Sequence, residues 1–356
     1  MYYNAYMEKI KEPSVAGSFY TADKEDLTVQ IKSFKQESKN LYNAFSRLVI
    51  VPHAGLVFSG RLAYEGISML NTGIKNIFII APAHRVGFEG LALSSYDKWK
   101  TPIDTIDVNQ NICAELEKEF NAHYNDEAFA PEHSIEIQIP IIQNLFKNVK
   151  IIPLLIGKEE PDIIKRILET YYPNPDNGFI ISSDLSHFLK DEKARKIDDI
   201  TAQMIESGKI EGFKYEQACG AIGIYAAVDF ANSKKYSFIR IDMANSGEVT
   251  DDKTSVVGYG CWFLYEGSKN KFIENNYSKF TIDLVKIIIE NNFKNNKITL
   301  NYPQVFDELG ACFVTLEKFG HLRGCIGSII AHQSLISDLI AHANDAAFNE
   351  IGRAHV

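Results

Sequence analysis

Apolar and polar positions alternate along this chain in two different ways. Between about residues 12 and 265, short runs of aliphatic and β-branched residues are separated by amphipathic stretches. The runs at 47–51, 76–80, 149–156 and 178–183 are apolar at consecutive positions, the pattern of parallel strands covered on both faces. The stretches 26–38, 61–70, 110–120, 135–146, 161–171 and 190–206 carry apolar residues at helical spacing. Pro161 suits a first helical turn, where a missing N–H costs nothing. This alternation predicts an α/β domain with a mostly parallel sheet flanked by helices. Two later runs, 236–243 and 255–264, are expected to extend or flank that sheet, whose strand order the pattern leaves open.

The pattern changes after Gly267-Ser268-Lys269-Asn270-Lys271, which reads as a polar linker. A helix at 278–292 precedes an apolar run at 310–316. A turn at Lys318-Phe319-Gly320 leads to a second run at 322–330, and a helical stretch follows from Ser334. This is an α+β pattern with a hairpin. The expected organisation is a domain at 1–266, a linker at 267–276 and a second domain at 277–356.

Composition narrows the function classes. With 356 residues, 46% apolar and 23% charged, the chain reads as a folded globular protein of about two domains. Lys plus Arg is 37 and Asp plus Glu is 46, a net charge of −9, which argues against nucleic acid as the partner. No apolar run approaches the roughly 18 residues of a membrane span, so no membrane partner is expected. The N-terminus lacks the order of a signal peptide. Five scattered cysteines without a CxxC pair exclude a disulfide framework and point to a reducing cytoplasm.

The histidines carry the chemical signal. His53 follows the run ending at Val51, His84 follows Ile80, and Asp184 and His187 follow Ser183. In an open α/β sheet ligands bind beyond the carboxyl ends of the strands, so three strands deliver imidazole or carboxylate groups to one edge. One such histidine alone would read as a loop residue bonded to backbone; three on three strands read as a shared site. Small residues and prolines beside them, in Pro52-His53-Ala54-Gly55 and Ala81-Pro82-Ala83-His84, leave room for a ligand. Asp184 has a second reading as a helix N-cap.

Cys219 precedes an apolar helical stretch, and a helix N-terminus favours the thiolate; its plain reading is an inert buried cysteine. Glu132 and His133 sit just ahead of a helix, as supporting groups of the pocket or as caps. Two histidines with a thiolate or carboxylate suit iron, copper or zinc. The same groups also fit a hydrolase with Cys219 as nucleophile and Asp184 orienting a histidine base. Spacing alone leaves both open.

The motifs resemble a known family. Val15-Ala16-Gly17-Ser18-Phe19-Tyr20, Pro52-His53-Ala54-Gly55, Ala81-Pro82-Ala83-His84, Glu132-His133-Ser134-Ile135-Glu136, Ser182-Ser183-Asp184-Leu185-Ser186-His187 and Cys219-Gly220 are similar, in order, to the Memo family, the protein B component of the AmmeMemoRadiSam system. The resemblance implies a fold similar to the LigB-type extradiol dioxygenases. It implies a metal held by His53, His84 and Cys219, with Asp184 and His187 in the same pocket. That dioxygenase group holds Fe(II) with two histidines and a carboxylate. Here the thiol of Cys219 stands in the carboxylate's place, which puts ring cleavage in doubt and makes iron or copper the expected metal ahead of zinc.

Asp184, His187 and Cys219 are the candidate catalytic groups for redox or O₂ chemistry. A non-catalytic module that binds a peptide or partner in the same pocket is the alternative.

The segment Leu322-Arg323-Gly324-Cys325-Ile326-Gly327-Ser328 resembles the signature of the AMMECR-one domain, protein A of the same system. The resemblance implies a longer domain than the 80 residues from 277 to 356, so the chain is expected to stop inside it. Arg323 and Cys325 are its candidate functional residues, read either as a loop that holds an anion or as a tight hairpin with a buried cysteine. The system's radical SAM component is the expected partner. Its CxxxCxxC cluster motif does not occur here, so this chain is a different component.

Overall fold

A computed structural model describes residues 8–38, 44–294 and 299–349. The N-terminal stretch read above for a signal peptide and the last part of the expected second domain lie partly outside those residues. The chain divides into two compact units, Met1–Glu266 and Gly267–Val356.

The first unit is built on a nine-stranded sheet. Its strands are β1 (Leu48–Val51), β2 (Asn76–Pro82), β3 (Leu91–Leu93), β4 (His123–Tyr124), β5 (Lys150–Ile156), β6 (Asn177–Ser182), β7 (His187–Leu189), β8 (Ser237–Asn245) and β9 (Val256–Tyr265). They run in the order β7-β9-β1-β6-β2-β5-β3-β4, with β8 paired to β9. The centre, β1-β6-β2-β5, is parallel. These are the strands with continuous apolar runs, and β1 and β6 are buried at every position. The flanks differ from the expected mostly parallel sheet. β9 is antiparallel to β1, β8 and β7, and β3 is antiparallel to β5. The sheet is therefore mixed, with parallel pairing confined mainly to its middle.

The longer helices are α1 (Lys24–Glu37), α2 (Leu56–Ser68), α3 (Gln110–Phe120), α4 (Ile139–Leu145), α5 (Pro161–Tyr171), α6 (Asp191–Ser207) and α7 (Ala221–Lys234). Helix α5 begins at Pro161, as its sequence requires. Helix α2 starts five residues earlier than its apolar spacing suggests. Gly55 serves as its N-cap, and the Leu56 N–H is taken by the carbonyl of Phe19.

The second unit holds helices α8 (Lys269–Phe293) and α9 (Leu335–Asn344) and strands β10 (Leu309–Gly310), β11 (Phe313–Lys318), β12 (His321–Gly327) and β13 (Gln333–Ser334). β11 and β12 form the expected hairpin. The expected linker is corrected: from Lys269 its residues belong to α8, because the Ser268 hydroxyl caps the helix at Lys271 and Phe272 and Tyr277 continue the apolar spacing backwards. Arg323 and Cys325 lie within strand β12 rather than in a loop, and Cys325 is exposed rather than buried.

Candidate metal centre

The three strands that carry the histidines are neighbours. β1, β6 and β2 lie side by side, with Val51 opposite Ser182 and Ile80 opposite Ile181. Their carboxyl ends release His53, the 183–187 segment and His84 at one edge of the sheet.

His53 is buried. Its backbone N–H donates to Asp184 Oδ1 at 2.7 Å, and its ring Nδ1 lies 3.0 Å from Ser182 Oγ. The Ser182 hydroxyl spends its one proton on the carbonyl of Ser134 at 2.7 Å and already accepts from Gln138 Nε2 at 3.0 Å. Nδ1 must therefore be the donor of the pair, which leaves the Nε2 lone pair facing the site. Burial first, then the charges of His84 and His133, hold this imidazole well below its ordinary value of 6.5. It stays neutral, the form that ligates a metal.

Glu132 orients the second histidine. Its carboxylate accepts the backbone N–H of His84, and His84 Nδ1 lies 3.0 Å from Glu132 Oε1. A carboxylate can only accept, so His84 also presents Nε2 to the site. Glu132 further accepts the N–H groups of His133 and Ser134. His133 Nδ1 approaches Glu132 Oε1 to 3.0 Å, an ion-pair distance without hydrogen-bond alignment. Burial alone would push the Glu132 carboxyl up; the His133 and His84 rings and the His84 N–H outweigh it and hold the group below the usual carboxylate range.

The third convergent ring is His133. Ligand atoms of His53, His84 and His133 all lie within 4.8 Å of one another, and the ring centroids are 4.7 to 5.4 Å apart. Sequence reading placed His133 as a supporting group or cap. No strand directly precedes it; its polar neighbours Glu132, Ser134, Glu136 and Gln138, spaced by two, are all buried in the fold.

Cys219 stands beside the trio. Its Sγ is 3.1 Å from His53 Nε2 and accepts the Asp184 N–H at 3.2 Å. Gly220 makes this approach possible: a Cβ there would sit 2.6 Å from Ser183 Cβ and 2.8 Å from the Ser182 carbonyl. The expected thiolate-favouring environment is corrected, because burial first and the Asp184 charge second push the Cys219 thiol up. Asp184 is no N-cap. It lies in an irregular segment between β6 and β7, where it accepts from His53, and its burial raises its carboxyl. His187 opens β7, close enough for its charge to act on both His53 and Asp184. The next residue, Phe188, is exposed and has a φ of 57°.

His53 and His84 thus each have a fixed partner behind Nδ1 and turn Nε2 to the site, with Cys219 Sγ beside that of His53, the arrangement in which outer groups hold metal-ligating histidines. Comparison with known proteins shows the family. The model of Memo-like proteins matches residues 11–263, well over half the chain. The chain belongs to the Memo family. It is 32% identical over 267 residues to a MEMO1 family protein of Thermoplasma volcanium, covering 70% of this chain and 96% of that one. It is 30% identical over 274 residues to a MEMO1 family protein of Aquifex aeolicus, covering 72% and 100%. A relative from Sulfolobus acidocaldarius is 33% identical over 277 residues, covering 70% and 97%. Residues 282–351 match a second model, AMMECR1. Among the described residues no helix is long and apolar enough to cross a membrane.

Proposed function

We propose that this Memo-family chain is a metal-dependent protein of the AmmeMemoRadiSam system, and that its metal is iron or copper. The observation that carries the reading is the convergence of His53, His84 and His133, with Ser182 and Glu132 fixing the tautomers of the first two. His53 and His84 would hold the metal through Nε2, with Cys219 or His133 completing the set. The sulfur's place beside His53 Nε2 suits the Memo pattern of two histidines and a cysteine. A buried neutral imidazole and a thiol suit soft or borderline metals, which favours copper and iron.

Such a metal, when bound, would supply redox or O₂ chemistry of the kind found in the LigB-type dioxygenases, whose fold this sheet is proposed to share. The protein's own groups set the conditions. Ser182 and Glu132 hold the ligand rings in register, Asp184 fixes the backbone of the His53 loop, and His187 would be the group for proton transfer. One feature supports membership of the system and action with its radical SAM component: Memo and AMMECR1 segments occur in one chain. The free thiols of Cys113, Cys219, Cys261 and Cys312 fit a reducing cytoplasm.

One contact favours a second reading, a cysteine hydrolase: the 3.1 Å pair of Cys219 Sγ and His53 Nε2 is a nucleophile–base distance. The raised thiol weighs against it, and the His53 ring is oriented by Ser182 rather than by Asp184.

Metal analysis of protein purified without added metal tests the proposal. Near-stoichiometric iron or copper is expected. Absence of both, with no uptake on anaerobic reconstitution and rapid single-site alkylation of Cys219, would favour the hydrolase. Metal retained without turnover of catechols, peroxide or O₂ would favour the binding module.

A further inference from the structure

One buried carboxylate lies outside the ligand set and is nevertheless tied to it. The segment 131–138 sends four polar side chains inward at every second position. Glu132 holds His84, Ser134 Oγ donates to the carbonyl of Pro82, and Gln138 donates to Pro52 and Ser182. Glu136, the remaining one, reaches away from the histidines to the N-terminal segment 11–20. It accepts from Lys11 Nζ at 2.8 Å, Ser14 N at 2.9 Å, Ser14 Oγ at 2.7 Å, Val15 N at 3.0 Å and Tyr20 Oη at 2.8 Å. Glu136 and Lys11 are both almost fully buried.

The segment so gripped forms part of the site. Phe19 packs its ring on His133, with centroids 4.5 Å apart, and its carbonyl takes the first N–H of α2, at the foot of the His53 loop. The approach is close: a Cβ on Gly55 would sit 3.3 Å from that carbonyl. Ile10 and Lys11 pair with Lys98 and Trp99, so the segment is tied at its start, middle and end.

We propose that Glu136 is a positioning residue of the metal centre, which fixes His133 by holding the 14–20 strap, and through it Phe19, against that ring. The inference rests on the proposed function for its functional weight, while its geometric part can be read without metal. The physical reason is the donor set. A carboxylate offers only acceptors, and five donors converge on it. An amide in its place would turn an NH₂ toward N–H groups and an ammonium, and the buried Lys11 charge would lose its partner. The strap would release, and Phe19 with it.

The test uses the full chain with Glu136→Gln, Glu136→Asp, Tyr20→Phe and Phe19→Leu. Metal-free samples are read by hydrogen exchange at the 14–20 amides and by the imidazole resonance of His133. Co(II) is then titrated into the same samples. Glu136→Gln is expected to expose the Ser14 and Val15 amides and to move the His133 resonance in the direction that Phe19→Leu does. It should weaken Co(II) by about tenfold, the low end of the range for outer groups. Glu136→Asp should restore part of each effect. Tyr20→Phe, which removes one donor of five and leaves the charge, gives a smaller change of the same sign and keeps the test available if Glu136→Gln fails to fold. Released amides with an unmoved His133 resonance would overturn the proposal, because Glu136 would then only fasten the strap. Failure of the unsubstituted chain to bind Co(II) would count against the metal reading instead, with the His133 resonance still deciding the role of Glu136.

Discussion

The two units each present a cysteine next to a glycine, but they hold it in opposite ways. In the first, Cys219 lies against a sheet edge whose strands β1 and β6 are buried along their whole length, with the Asp184 N–H and His53 Nε2 at its sulfur. In the second, Cys325 lies on a two-stranded hairpin whose positions are mostly exposed, with the Thr315 hydroxyl 3.2 Å away. The difference teaches what makes a reactive residue type into a site. Burial keeps His53 neutral and the Cys219 proton in place, and the 131–138 segment supplies fixed partners. Sequence neighbours alone do not give the Arg323–Cys325 strand such a scaffold.

The contrast can be broken most forcefully at His53. His53→Ala should weaken metal binding by more than about 100-fold, beyond the range for outer groups, whereas Arg323→Ala should leave it unchanged, both read by metal titration of the purified chain. A similar loss from Arg323→Ala would move the site to the second unit. Gly220→Ala comes next. The added methyl has no room between Ser182 and Ser183, so the first unit should lose about 1–3 kcal/mol in denaturant unfolding, and metal binding should fall with it.

A smaller effect is expected from pH. The folded pKa of His53 is depressed, so the unfolded chain binds the extra proton below the ordinary 6.5. Stability is complete above that value and declines as pH falls beneath it. Glu132 acts in the same sense at lower pH, and Asp184, whose carboxyl is raised, in the opposite sense there. Metal-free protein should therefore lose about 1 kcal/mol between pH 7 and 5.5. His53→Gln should flatten that slope; an unchanged slope would contradict a neutral buried His53. The smallest effect is kinetic. An alkylating reagent should label exposed Cys325 well before Cys219, checked by peptide mass mapping, with Cys325→Ala altering stability by less than about 0.5 kcal/mol.

Much of the scaffold was legible because the central strands are apolar at consecutive positions, a pattern with few competing readings. β3, β4 and β7 escaped because two or three residues carry no period. The mixed pairing escaped because β8 and β9 are apolar enough to read like the parallel strands. His53 and His84 were legible from their places just after β1 and β2. His133 was not, because no strand precedes it and its neighbours read as a helix start; only the folded chain turns Glu132, Ser134, Glu136 and Gln138 inward together. Cys219 was found with two readings open, a thiolate at a helix start or a buried cysteine, and the burial that raises its thiol comes only from the fold. The start of α8 was hidden by polar residues: Asn270 and Lys271 are exposed, and Lys269 is held by the buried Glu308.

The account turns on whether one metal ion sits where the histidines converge. A crystal structure of the full chain, with anomalous data collected at the iron and copper edges, decides this. The account predicts a single iron or copper peak about 2.1 Å from Nε2 of His53 and His84, with Cys219 or His133 as the next ligand. Metal-loaded crystals with no peak at these rings, or with the peak in the second unit, would contradict it.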